Sequence, residues 1–92
     1  MIAERRVVIQ NEKGLHVRPA AAFAQAATKF LSRIQVIKDG HTVNGKSAIE
    51  LLTLAAIPGT ALLIRSEGDD AESAAESLAR LVQNRFGMRD DD

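Results

Sequence analysis

The chain has 92 residues, 46% hydrophobic, 26% charged and 3% aromatic, with no Cys, Trp or Tyr. That length supports one small core, so a single domain over residues 1–92 is expected. Twelve Lys and Arg offset twelve Asp and Glu, which removes the basic excess of a nucleic-acid binder, and a chain without Cys has no disulfide or thiolate metal site. No apolar run approaches a membrane span, and Met1-Ile2-Ala3-Glu4-Arg5-Arg6 lacks a signal-peptide apolar region. The expectation is a cytoplasmic monomer without a metal or other cofactor, bound to neither nucleic acid nor membrane.

Residues 4–10 predict a strand with Val7 and Ile9 on one face and Arg6, Val8 and Gln10 on the other. Asn11-Glu12-Lys13-Gly14 breaks it. From Pro19 the period changes: Ala20, Phe23, Ala24, Ala27, Phe30 and Leu31 follow helical spacing. Ile34, Val36 and Lys38 then alternate with Gln35 and Ile37, and Asp39-Gly40 predicts a hairpin turn into His41-Thr42-Val43. Ser47-Ala48-Ile49-Glu50 has the form of a capping box at the start of a short helix, and Pro58-Gly59 closes that segment.

Thr60 to Ser66 predicts a strand with Leu62 and Ile64 inward. Gly68-Asp69-Asp70-Ala71-Glu72 brings acids to the positive first turn of a last helix. Its apolar stripe is Ala71, Ala74, Ala75, Leu78, Leu81 and Val82. Residues 88–92, ending Asp90-Asp91-Asp92, read as a disordered acidic tail. The order β-α-β-β-α-β-α predicts an α+β fold: a two-layer, open-faced sandwich with a four-stranded, mostly antiparallel sheet and three helices on one face.

Chemistry concentrates in Gly14-Leu15-His16-Val17-Arg18-Pro19-Ala20. Proline is tolerated in a helix only in its first turn, so Pro19 marks the start. With His16 at the N-cap, Val17 and Arg18 have backbone N–H groups without helical partners, which makes an anion site beside an imidazole. Arg18 adds a permanent cation that can grip an oxyanion. The positive helix end disfavours imidazolium, so a neutral, nucleophilic ring is expected. These residue types suit a phosphoryl acceptor, and they suit equally a plain helix cap beside a surface cation.

Gly-Leu-His-Val-Arg-Pro-Ala resembles the active-site segment of the HPr family, histidine-containing phosphocarriers of the phosphoenolpyruvate-dependent phosphotransferase system. The family usually has Ala where Val17 stands, a position that supplies only a backbone amide. The likeness runs over roughly residues 4 to 86 and includes Lys46-Ser47-Ala48-Ile49 at the second helix. It implies that enzyme I phosphorylates His16 on Nδ1. His16 would then pass the group to the A component of a sugar permease or to a regulatory protein, with Arg18 neutralising the phosphoryl oxygens. Such a chain is a stoichiometric carrier and not a complete enzyme.

Ser47 matches the serine that HPr kinase/phosphorylase modifies in some bacteria, and Ala48, Ile49 and Leu52 match positions that dock partners. Leu51, Leu54 and Ile57 compete with Ile49 and Leu52 for burial in the short helix. Gln25, Thr28 and Glu50 stand where the family often carries lysines, a departure that bears on steering toward the usual partners. The runner-up reading is a binding module that regulates a partner through the state of Ser47. Gly40-His41-Thr42-Val43-Asn44-Gly45-Lys46-Ser47 also satisfies the P-loop pattern. A hairpin turn at Gly40 and an extended His41-Thr42-Val43 argue against a phosphate-cradling loop, and His41 reads as a surface residue.

Overall fold

The computed structural model describes residues 1–89; Asp90, Asp91 and Asp92 of the acidic tail lie outside the described residues. Strands β1 (Ile2–Val8), β2 (Arg33–Lys38), β3 (His41–Asn44) and β4 (Ala61–Glu67) form one sheet, with helices α1 (Val17–Thr28), α2 (Ala48–Leu52) and α3 (Ala71–Gln83). The sheet order is β1-β4-β2-β3, and all three strand pairs are antiparallel. Two-residue alternation buries Val7, Ile34, Val36, Val43, Leu62 and Ile64 on one face, where Phe23, Leu51, Leu78 and Val82 of the helices meet them. Ala20, Ala24 and Ala27 on α1, and Ala71, Ala74 and Ala75 on α3, are buried too; their small side chains let the helices lie close to their neighbours. The opposite sheet face carries Glu4, Arg6, Arg65 and Arg33 and is open. Among the described residues no helix is long and apolar enough to cross a membrane.

The Asp39-Gly40 turn forms as predicted. Lys38 pairs with His41 across it, and both turn residues have positive φ, 50° and 81°, the conformation that a two-residue hairpin of matching twist demands. Several expectations shift. The first strand starts at Ile2 because Ala3 pairs with Ser66 and packs on Ala71 and Ala75. Leu31 is 89% exposed: α1 ends at Thr28, so helical spacing no longer applies to it. Ile57 is exposed for the same reason, since α2 stops at Leu52. Met88, expected in the tail, is half-buried against the core, behind a 3-10 turn at Arg85–Gly87 that the sequence did not signal.

Asp70 corrects the expectation of acids acting on their own helix. It stands at the N-cap of α3, yet its side chain makes no capping bond there. Its carboxylate instead accepts from the Ser32 hydroxyl, from Leu31 N–H at 2.8 Å and from Ser32 N–H at 2.9 Å, pinning the α1–β2 loop to the start of α3. Glu72, in the first turn, forms an ion pair with Arg5 of β1.

The Ser32 hydroxyl and then the Leu31 N–H hold the Asp70 carboxyl below the usual aspartate range. A depressed folded-state value means that the ionised carboxylate stabilises the fold above the unfolded-state value and stops doing so as pH falls through the folded-state value. Asp70→Asn is therefore expected to lower the thermal midpoint at neutral pH. Its deficit should close as the wild type is acidified below the ordinary carboxylate range, as thermal melts at stepped pH would read.

Candidate functional site

The segment ahead of α1 is fixed from two sides. Gly14 N–H donates to Asn11 O at 2.9 Å, closing a tight turn, and Leu15 N–H donates to Ala56 O at 2.9 Å. Gly14 has φ +70°, and a Cβ built there would lie 2.5 Å from Ala56 O. Only glycine accepts both the left-handed conformation and that approach. Leu15 is buried in the core, so the chain emerges at His16 from an anchored residue.

His16 is the N-cap of α1, with φ −94° and ψ −167°. Its carbonyl accepts from Ala20 N–H at 3.0 Å, the first bond of the helix. Its half-buried side chain makes no capping bond, and α1 has no acid in its first turn. Val17 and Arg18 are exposed at the first two helical positions, where a backbone N–H has no partner within the helix. Pro19 follows, buried, in the first turn. An imidazole, two backbone donors and a guanidinium thus stand at the positive end of one helix with no carboxylate in that turn. This arrangement can hold a small dianion against the ring.

The second region opens α2. Ser47 is its N-cap, and Ser47 Oγ accepts from Glu50 N–H at 3.2 Å. The reciprocal half of the expected capping box is displaced. Glu50 Oε1 accepts from Asn44 N–H at 3.0 Å, while Ser47 N–H donates to Asn44 O at 3.1 Å. The helix start is therefore tied to the end of β3. Removing a serine cap costs about 1 kcal/mol, so Ser47→Ala should lower stability by roughly that amount, readable as a shifted urea midpoint with an unchanged slope.

Lys46 Nζ donates to Phe30 O at 2.8 Å, just past the end of α1. With Gly40 in the hairpin turn and His41–Asn44 paired to β2, the P-loop pattern has neither a free loop nor a free lysine. His41 is exposed, with Nε2 3.4 Å from Thr53 Oγ1.

α2 packs beside α1, and Ala21, Ala24, Gln25, Thr28, Lys46 and Ala48 line a shallow groove between them. Ala48 and Leu52 are half-buried and Ile49 is 79% exposed, whereas Leu51 and Leu54 fill the core. The competition for burial thus leaves Ile49 outside. Sequence reasoning passed over Ala56, whose carbonyl anchors Leu15, and Asn11, whose side chain is buried beneath the same loop. Neither carries a local signal, because both act through contacts distant along the chain.

A family model described as the PTS HPr component phosphorylation site matches residues 3–84. The phosphocarrier protein HPr of Borreliella burgdorferi is 41% identical over 83 residues, covering 90% of this chain and 96% of that relative. The crystal structure of HPr-C-His from Thermoanaerobacter tengcongensis superposes with a TM-score of 0.89 at 41% identity, over 95% of this chain and 98% of that one. The crystal structure of Crh, a catabolite-repression protein of Bacillus subtilis, superposes with a TM-score of 0.74 at 40% identity, over 88% of this chain and 93% of that one. Crh forms a domain-swapped dimer there, which sits against the expectation that this chain is a monomer.

Proposed function

Because this chain belongs to the HPr family of phosphocarrier proteins, we propose that His16 is the residue that carries its phosphoryl group. The observation that supports this most is the ring at the N-cap of α1: it takes no part in capping, and an anion site adjoins it. In the forward step an imidazole nitrogen of His16, Nδ1 by family resemblance, donates its lone pair to phosphorus as the bond from phosphorus to the group that carries it on enzyme I breaks. The bonding pair leaves with the donor. The three equatorial oxygens carry negative charge throughout, and the N–H groups of Val17 and Arg18, with the Arg18 guanidinium, stabilise them. The second transfer is the same displacement with His16 as the leaving group.

The reading is that of a stoichiometric carrier working in the cytoplasm as one domain. Its partners are enzyme I, which supplies the phosphoryl group, and the A component of a sugar permease or a regulatory protein, which accepts it. Ala48, Ile49 and Leu52 form the apolar part of its docking face. Ser47 is its regulatory site, open to HPr kinase/phosphorylase where that enzyme is present; a phosphate there would favour the α2 dipole and repel acidic partner surfaces.

The test is incubation with active enzyme I, Mg²⁺ and phosphoenolpyruvate, followed by intact mass before and after brief acid treatment. One phosphoryl group, gained and then lost in acid, is expected; no gain would sink the carrier reading. A second reading is regulation through the state of Ser47, to which the likeness to Crh, a catabolite-repression protein, lends weak support. Under it Ser47→Asp would change the biological effect while His16→Ala would not.

A further inference from the structure

Asn11 ends the first β segment's continuation and begins the loop that delivers His16. It is 5% exposed, one of three buried polar residues among those described. Its Nδ2 donates to the carbonyl of Arg85 at 3.2 Å, across 74 residues of chain. Its Oδ1 is buried without a hydrogen-bond partner. An unsatisfied buried amide oxygen destabilises a fold, while the Nδ2 bond gives Arg85 O a donor. What asparagine contributes at this position is therefore the bond that its Nδ2 makes.

What Asn11 joins is informative. Its own carbonyl closes the turn onto Gly14 N–H, two residues before His16. The far end of its side-chain bond is the 3-10 turn at Arg85–Gly87, where Arg85 and Phe86 both have positive φ, 55° and 57°. Such a conformation in non-glycine residues persists only where surrounding contacts impose it. Phe86 is buried and lines the same small core cavity as Leu15, the residue next to His16. The His16 loop is thus tied to the strained turn by the hydrogen bond from Asn11 to Arg85, and Leu15 and Phe86 share the lining of one core cavity.

We propose that Asn11 is a positioning residue for phosphoryl transfer: by clamping the loop to the 3-10 turn it fixes the direction in which the His16 ring and the Val17 and Arg18 N–H groups face. The proposal rests on the carrier reading of His16. Asn11 reaches neither the phosphoryl group nor a partner; it acts through the backbone of residues 11–15. A loop free to tilt would still dock, because the docking face lies on α1 and α2, but it would present the ring off line to the incoming phosphorus. Misalignment of that kind lowers turnover more than binding.

Asn11→Leu replaces the amide by two methyl groups of similar shape. Wild type and N11L are compared for thermal midpoint, for the backbone amide resonances of Val17 and Arg18, and for kcat and KM of phosphorylation by phospho-enzyme I. The expected result is a folded chain with displaced Val17 and Arg18 resonances, and kcat per folded molecule lower by about tenfold with KM for enzyme I unchanged. Wild-type kcat in N11L, or a loss no larger than its unfolded fraction explains, overturns the proposal. A wild-type chain that takes no phosphoryl group overturns the carrier reading, and this proposal with it. If N11L does not fold, Asn11→Ser, whose hydroxyl is too short to replace the clamp, is put through the same measurements with the same two outcomes.

Discussion

His16→Asn is expected to abolish phosphoryl acceptance and at the same time to stabilise the fold. Residue 16 already has the extended backbone of an N-cap, yet its ring makes no capping bond and no acid stands in the first turn of α1. Asparagine is among the strongest N-caps. Pro19 at the third helical position has no N–H to offer, so the new side-chain amide oxygen would accept from the N–H of Arg18. A gain of about 1 kcal/mol follows, measured as a raised urea midpoint. The same variant, offered phospho-enzyme I, should show no acid-labile gain in mass. An acid-labile phosphoryl group on the variant would remove His16 as the acceptor; an unchanged midpoint would mean that the ring already serves the helix. On the carrier reading, keeping histidine where asparagine would be more stable is the cost of a reactive side chain at a position built for a cap.

The local geometry around the proposed site was legible in the sequence because its signals are local. Pro19 fixes where a helix can begin, Asp39-Gly40 supplies the two left-handed residues of a hairpin, and Ser47 lies three residues before Glu50; in each, the chemistry acts within one turn of chain. The misses share the opposite property. Asp70 serves Ser32, 38 residues away, although its place at a helix start suggested a local use. Leu31 continues the helical spacing of α1 in sequence but lies beyond its end. Glu50 does reach back as a capping box predicts, but to Asn44 instead of Ser47, because the chain turns there and brings the β3 amide within reach. The clamp from Asn11 to Arg85 spans almost the whole chain. Spacing rules describe a chain in contact with itself over a few residues, and long-range polar contacts fall outside them.

Gly14 separates two reasons for a glycine, and a paired substitution measures each. Gly40 has φ +81° and an added Cβ would meet nothing within 4 Å, so Gly40→Ala should cost only the left-handed conformation, on the order of 1–2 kcal/mol. Gly14→Ala bears that same conformational cost and adds a collision. Its Cβ would lie 2.5 Å from Ala56 O and 3.2 Å from Ile57 Cα; both are backbone atoms, so no change of rotamer relieves it. The loop must move away from Ala56, and the Leu15–Ala56 hydrogen bond, worth about 0.5–1.5 kcal/mol, stretches or breaks. A total of about 1.5–3.5 kcal/mol is expected for Gly14→Ala. Because the displaced residues lead directly into His16, phosphoryl transfer should slow in Gly14→Ala even where the chain remains folded, while Gly40→Ala transfers at the wild-type rate. Equal losses of stability in the two variants, with transfer intact in both, would show that the approach to Ala56 does not set the course of the His16 loop.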